Sequence, residues 1–243
     1  MDPYRPPQSD MQLAQKGTPV ADDPYFGAVW EVGTTVSAAM DRIKEQAGPF
    51  FIIVAVYAGF TIASGIAGQL VTLGAQSTGD QDLILVASLA TNLLSQFVGL
   101  LVSILTVKGA IYIARGQEFG VADLVPTVGV AFSVLAAGIL VAIGYLFGLM
   151  FFLIPGMIWI LATFFSKYLV LDQELGPIDA IKQSLSMTDG HKLKLLVWSF
   201  AVVGMMMLGM FAFCIGILLV VPFTQVCTAL IYDNIRRQRG LID

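Results

Sequence analysis

The longest stretch of the chain without a charged residue covers residues 124–166 and reads LVPTVGVAFSVLAAGILVAIGYLFGLMFFLIPGMIWILATFFS. A transmembrane helix needs roughly 20 apolar residues, so these residues suffice for two crossings. Three further charge-free stretches cover residues 46–79, 83–107 and 195–232, and their lengths allow one, one and two crossings. The sequence therefore predicts an all-α, polytopic membrane helix bundle with six transmembrane helices.

The composition excludes an ordinary soluble domain. Residues of the AVILMFWYC set make up 57% of the chain, and only 12% of its residues are charged. Soluble domains carry roughly 25% charged residues. A nucleic-acid role has no basic patch to rest on.

We expect a membrane domain over residues 28–239, with spans at residues 50–75, 83–107, 124–147, 152–171, 193–210 and 213–234. Pro155 and Gly156 mark the boundary between the third and fourth spans. Residues 1–27 hold many prolines and show no apolar period, which predicts a disordered cytoplasmic tail. Residues 240–243 form the C-terminal end.

The positive charges predict the topology, because short cytoplasmic loops retain Lys and Arg. All 13 lie before the first span, after the second, fourth and sixth spans, or at their ends: Arg5, Lys16, Arg42, Lys44, Lys108, Arg115, Lys167, Lys182, Lys192, Lys194, Arg236, Arg237 and Arg239. The opposite turns hold none. Both termini are therefore expected on the cytoplasmic side.

Two amphipathic segments are predicted to lie in the membrane interface. The first covers residues 29–47, where apolar residues recur every three or four positions. The second covers residues 177–189, with Ile178, Ile181 and Leu185 on its apolar face and Pro177 in its first turn.

The second span is the most polar. At helical spacing one face carries Ser88, Asn92, Ser95, Gln96, Gly99 and Ser103. An unpaired amide in hydrocarbon is costly, so these groups need partners. Hydrogen bonds between neighbouring helices are one interpretation, and a polar passage or a site for a lipid headgroup is the other.

A ridge of small residues follows the first span, where Ala55, Gly59, Ala63 and Ala67 recur every fourth position. Such ridges allow helix backbones to approach closely in lipid. We expect the ridge to pack within the bundle, with a self-association face as the alternative.

The charged residues indicate an interface more than a catalytic centre. A basic cluster that faces anionic lipid is predicted from His191, Lys192, Lys194, Arg236, Arg237 and Arg239. The carboxylates of the cytoplasmic side are interpreted as helix caps or solvated surface: Glu118, Asp123, Asp172, Glu174, Asp179 and Asp189. With one histidine and no metal-loop spacing, no catalytic, metal or cofactor site is predicted.

Residues 170–184 (VLDQELGPIDAIKQS) and 188–191 (TDGH) resemble the motif of a bacterial family of six-span proteins of unknown function. That family is related to the membrane domain of glycerophosphoryl diester phosphodiesterases. The start at residues 2–7 (DPYRPP) and the ending at residues 232–237 (YDNIRR) are similar to its members too. The resemblance implies a bacterial inner-membrane location and a non-catalytic domain.

The expected function is that of a non-enzymatic membrane accessory or scaffold protein that packs with partner membrane proteins or lipids. The alternative is a small transporter or lipid-handling protein that uses the polar face of the second span. The oligomeric state stays open.

Overall fold

The computed structural model describes residues 31–151, 153–211 and 215–239, and these residues form helices and no strands, in agreement with the all-α prediction. The expected tail at residues 1–27 and the end at residues 240–243 lie outside them. In chain order the helices are α1 (Val32–Glu45), α2 (Ala47–Gln76), α3 (Gln81–Ala114), α4 (Val121–Leu124), α5 (Val128–Phe151), α6 (Leu153–Ala162), α7 (Ser166–Gln173), α8 (Pro177–Thr188), α9 (Lys192–Phe211) and α10 (Ile215–Gln238).

Five helices of the described residues are long and apolar enough to cross a membrane: α2, α3, α5, α9 and α10. They correspond to the first, second, third, fifth and sixth expected spans. The fourth expected span, residues 152–171, does not form one helix. It is divided between α6 and α7, and the 10 residues of α6 reach about 15 Å, half of the hydrocarbon core.

The division between α6 and α7 is held by hydroxyl groups of α8. Ser184 Oγ and Thr188 Oγ1 donate to the carbonyl oxygen of Ala162 at 2.9 and 3.2 Å. The backbone N–H of Phe165 in turn donates to Ser184 Oγ at 3.2 Å. Since α6 ends at Ala162, these bonds satisfy backbone groups that a continuous helix would have paired internally. The interruption between α6 and α7 is therefore stabilised by hydrogen bonds to another helix.

Close backbone contact closes two of the helical hairpins. A Cβ atom placed on Gly148 of α5 would lie 2.6 Å from the Cα atom of Gly156 in α6. A Cβ atom on Gly216 of α10 would lie 2.7 Å from the Cα atom of Gly209 in α9. Glycine at these positions lets each pair of helices approach to backbone contact.

Helices form at both expected amphipathic segments. The buried residues of α1 include Ala38 and Ala39, and α1 packs against α10. In α8 the apolar face differs from the expected one, because Ile181 is buried whereas Ile178 and Leu185 are exposed. The buried side of α8 instead carries the hydroxyls that hold the α6–α7 break and packs on α5, α6 and α7. Ile178 and Leu185 are left on its outer side.

The core lies at one end of the bundle. In the spanning segment of α2 only 11% of the residues are buried, compared with 50% in α3 and 56% in α10. The buried residues of α3 begin at Val102, and those of α10 concentrate toward its C-terminus. Helix α3 packs against α7 there, and Tyr232 of α10 donates to Asp172 of α7. Leu169 and Val170 of α7 are fully buried. At the opposite end of the α2–α3 hairpin, most residues are exposed.

Candidate functional site

A buried network of charges joins the C-terminal end of α3 to α7 and α10. Arg115 Nε and Nη2 donate to the two carboxylate oxygens of Asp233 at 3.0 and 2.8 Å. Its Nη1 donates to Asp172 at 2.6 Å. Tyr232 Oη, at 2.9 Å, and Arg236 donate to the other oxygen of Asp172. Two partly buried cations and two buried anions thus offset each other.

The two carboxylate side chains of this network are 8% exposed at Asp172 and 3% exposed at Asp233. Burial acts to raise the pKa of Asp172, but the charge and hydrogen bond of Arg115, together with Arg236 and Tyr232, hold that pKa below its usual value. Burial likewise opposes the charge of Arg115, and Asp233 and Asp172 raise its pKa well above the usual value. Asp172 and Arg115 therefore stay ionised and paired, as suits a structural lock between helices.

Asp172 is not solvated surface, in contrast to the interpretation from the sequence, and Arg236 of the expected basic cluster is its ion-pair partner. The signal that could have found the network is local: Asp172 follows Val170 and Leu171, and Asp233 follows Ile231 and Tyr232, in apolar runs that continue a buried face. The partner across the network could not be read from those runs.

The other basic residues meet around Asp189. Lys192 Nζ lies 3.4 Å from Asp189 Oδ1, and Arg239 donates to the carbonyl oxygen of Asp189 at 2.6 Å. His191 Nδ1 lies 3.3 Å from the same carbonyl oxygen. The start of α9 and the end of α10 are therefore brought together, while Lys194 and Arg237 follow on the same two elements.

The polar residues of α3 fall into two groups. Ser88 Oγ donates to Leu85 O, and Asn92 Nδ2 donates to Ser88 O, both at 2.8 Å and both within α3 itself. Asn92, Ser95 and Gln96 are exposed, and in the described residues the side chains of Ser95 and Gln96 make no hydrogen bond. We call Asn92, Ser95 and Gln96 the polar strip. The bonds to neighbouring helices that the sequence suggested are not formed by these three residues.

Ser103, the last residue of the polar face, does contact another helix: Lys167 Nζ of α7 donates to its hydroxyl. A groove of about 480 Å³ runs beside it, lined by Leu93, Gln96, Phe97, Gly99, Leu100, Ser103 and Leu135. At about 100° per residue around α3, Leu93 and Phe97 lie on one side of Gln96, and Asn92 and Ser95 lie on the other. The groove and the polar strip are thus neighbours that share Gln96.

The small-residue ridge of α2 faces outward. Ala55, Gly59, Ala63 and Ala67 are exposed, and a Cβ atom on Gly59 would meet nothing within 4 Å. The close approach between α2 and α3 is made by Gly68, whose added Cβ would lie 2.9 Å from Thr91 Cγ2. The ridge therefore makes no close packing contact within the described part of the bundle.

No group of three or more His, Cys, Asp or Glu side chains in the described ranges is arranged to hold a metal ion. The exposed side of α3, with the polar strip, the groove and the neighbouring Lys167, is the candidate site that the geometry offers. No curated protein and no solved structure matches the chain. A family described as protein of unknown function (DUF975) matches residues 34–239, which cover all five helices that are long and apolar enough to cross a membrane. The chain belongs to this family.

Proposed function

We propose that the protein is a non-enzymatic scaffold of the bacterial inner membrane that self-associates through the polar strip of α3. The observation that carries the proposal is the exposure of Asn92, Ser95 and Gln96 on a helix long and apolar enough to span a bilayer. Hydrocarbon offers no hydrogen-bonding partner, and an unsatisfied polar group there costs several kcal/mol. The strip therefore favours a protein partner that supplies polar groups at the same depth.

A second copy of this chain fits that requirement. Two copies inserted in the same orientation are related by a two-fold axis normal to the membrane, which brings each residue of α3 opposite itself at equal depth. A carboxamide both donates and accepts hydrogen bonds, so Asn92 can pair with Asn92 and Gln96 with Gln96. Hydrogen bonds between amides stabilise helix association in membranes.

The absence of an enzymatic role is part of the proposal. The carboxylates of the buried network are each bonded to arginine, which leaves neither of them placed to transfer a proton to a substrate. The one histidine lies near backbone at the start of α9. The resemblance of residues 170–184 and 188–191 to a family related to the membrane domain of glycerophosphoryl diester phosphodiesterases supports the proposal of a non-catalytic role.

The topology that we propose has six crossings, with α6 and the start of α7 forming a broken fourth span over residues 152–171 and both termini in the cytoplasm. An even number of crossings keeps all 13 Lys and Arg residues on one side. A topology reporter after Arg237 and one at Asp80 are expected on opposite sides of the inner membrane. Reporters on the same side would contradict six crossings.

Self-association is tested by cysteine cross-linking in native membranes. We expect Ser95→Cys to give a disulfide-linked dimer on mild oxidation. Ala90→Cys is the matched control, because Ala90 is exposed on the same helix about 140° away from Ser95. The unmodified chain gives the background from native cysteines. Equal cross-linking at both positions, or a link from Ser95 to a different protein, would overturn the homodimer.

A second candidate function, lipid handling, is favoured by the groove beside α3. Its volume of about 480 Å³ falls within the roughly 300–1,000 Å³ typical of small-molecule sites. Its lining combines leucine and phenylalanine side chains with Gln96 and Ser103. Such a lining suits a molecule with a long apolar part and a polar end.

A further inference from the structure

Lys167 is a half-buried cation whose hydrogen-bond partner is a hydroxyl group. Its ammonium donates to Ser103 Oγ, and among the described residues it forms no ion pair with a carboxylate. Arg115 and Arg236, which lie in the same end of the bundle, both pair with Asp172. A charge removed from water without a counter-ion is costly. Lys167 is therefore suited to receive an anion from outside the chain.

The groove begins at Ser103, whose hydroxyl accepts the hydrogen bond of this cation. From Ser103 it follows α3 to Leu93, a distance of about 15 Å at about 1.5 Å per residue. Beyond the polar end at Ser103, the lining side chains are mainly apolar, with Leu100, Phe97 and Leu93 on α3 and Leu135 on α5. Gln96 interrupts this wall with one amide. A molecule that fills the groove thus meets charge at one end and hydrocarbon along the rest.

The depths at which the two ends of the groove lie in the membrane agree with this polarity. The 34 residues of α3 extend about 51 Å, more than the roughly 30 Å of the hydrocarbon core. Ser103 lies about 8 Å from Lys108, the first charged residue after the apolar stretch, and hence near the boundary of the core. Leu93 lies toward the middle of that stretch. The cationic end is therefore at the level of lipid headgroups, and the apolar end points to the membrane centre.

We propose that this groove binds an anionic amphiphile, with its phosphate or carboxylate head on Lys167 Nζ and Ser103 Oγ and one acyl chain along Leu100, Phe97 and Leu93. The chemistry is shared by an anionic phospholipid and a free fatty acid, and a free phosphate would satisfy the head alone. This inference rests on the lipid-handling candidate and does not require self-association.

The test is native mass spectrometry of the full-length protein in mild detergent, with separate additions of phosphatidylglycerol, phosphatidylcholine, oleate and inorganic phosphate. One lysine near an anionic headgroup contributes about 1 kcal/mol, which corresponds to about a fivefold change in affinity. We expect phosphatidylglycerol or oleate to bind at least about fivefold more tightly than phosphatidylcholine, and the tighter of the two identifies the source of the head. Binding of inorganic phosphate alone would overturn the acyl part of the proposal.

The variant Lys167→Gln is expected to lose this preference, and Lys167→Arg to keep it. Lys182→Gln is the matched control, because it removes an exposed lysine of α8 outside the groove. Leu135→Trp fills the groove without a change of charge and is expected to weaken binding of every amphiphile. If Lys167→Gln and Leu135→Trp both bind phosphatidylglycerol and oleate like the original protein, the site is wrong. Cross-linking through Ser95→Cys is repeated in the Lys167→Gln variant. Failure of the lipid site leaves this cross-link intact, whereas failure of the homodimer abolishes it.

Discussion

The guanidinium of Arg115 donates to both carboxylate oxygens of Asp233, with donor–acceptor distances of 3.0 and 2.8 Å, although 118 positions separate the two residues in the chain. The pair ties the end of α3 to α10, and Asp172 adds α7 through the third nitrogen of the same guanidinium. Planar, two-bond recognition of a carboxylate is a property of arginine that lysine lacks. This end of the bundle is therefore fixed by directional bonds as well as by apolar packing.

Replacement of Asp233 by asparagine is expected to destabilise the protein by about 3–5 kcal/mol, because breaking a buried ion pair leaves a charge uncompensated. The free energy of unfolding, measured by denaturant titration in mild detergent, checks this. Asp179→Asn removes an exposed carboxylate of α8 and is the control. An Asp233→Asn protein as stable as that control would show that the network does not hold the helices together.

The depressed pKa of Asp172 predicts loss of stability in acid. Because this carboxyl binds its proton more weakly when folded than when unfolded, its contribution is complete above the unfolded value of about 3.9 and is lost as the pH falls through the lower folded value. We expect the midpoint of thermal unfolding to fall on acidification below about pH 4. Asp172→Asn should have a lower unfolding midpoint at neutral pH, and that midpoint should fall less on acidification. Asp179→Asn should show the same fall of the midpoint with pH as the original protein. An identical fall in all three proteins would contradict the role of Asp172.

Ser184→Ala is expected to cost about 1–3 kcal/mol, because it leaves the backbone N–H of Phe165 without its hydroxyl partner and removes a bond to Ala162 O. Ser186→Ala is matched in chemistry and position, but its hydroxyl is exposed and bonds only to Gln183 of its own helix. The difference in unfolding free energy between the two variants measures how much the α8 hydroxyl stabilises the interruption between α6 and α7. No difference would mean that the break forms without it.

The double variant Asn92→Leu and Gln96→Leu is expected to weaken the dimer about eightfold, taking about 0.6 kcal/mol for each of two interhelical hydrogen bonds. Dilution of fluorescently labelled protein in lipid vesicles, followed by energy transfer between copies, measures the dissociation constant. Ala90→Leu increases apolar volume on another face of α3 and should leave that constant unchanged. A dimer strengthened by the double variant would exclude pairing of the amides.

Five of the six expected spans correspond to helices long enough to cross a membrane, because charge-free length is a local property of the sequence. The division between α6 and α7 could not be predicted, because Ala162 and Phe165 are joined to hydroxyl groups about 20 positions further along the chain, with no glycine or proline to mark the site. The prediction that Asp172 is a helix cap or solvated surface is wrong for a related reason. Its charge is visible in the sequence, but its burial depends on Arg115 and Arg236, which only the packed helices bring to it.

The polar face of α3 was predicted residue by residue, since a helix places residues three and four positions apart on one side. Its surroundings could not be predicted. The sequence alone does not tell that Ser103 meets Lys167 while Ser95 and Gln96 are left exposed without a hydrogen bond in the described structure. The sequence also could not predict that Ala55 and Gly59 face outward, because a ridge of small residues suits packing inside a bundle and between bundles alike.

The most direct test of the proposed scaffold is the mass of the complex that the full-length protein forms when it is released from its own membrane without added detergent and measured by native mass spectrometry. We expect twice the mass of one chain, with the double variant Asn92→Leu and Gln96→Leu shifted toward a single chain. A single chain for the original protein, or a complex with a different protein in place of the second copy, would contradict self-association through α3.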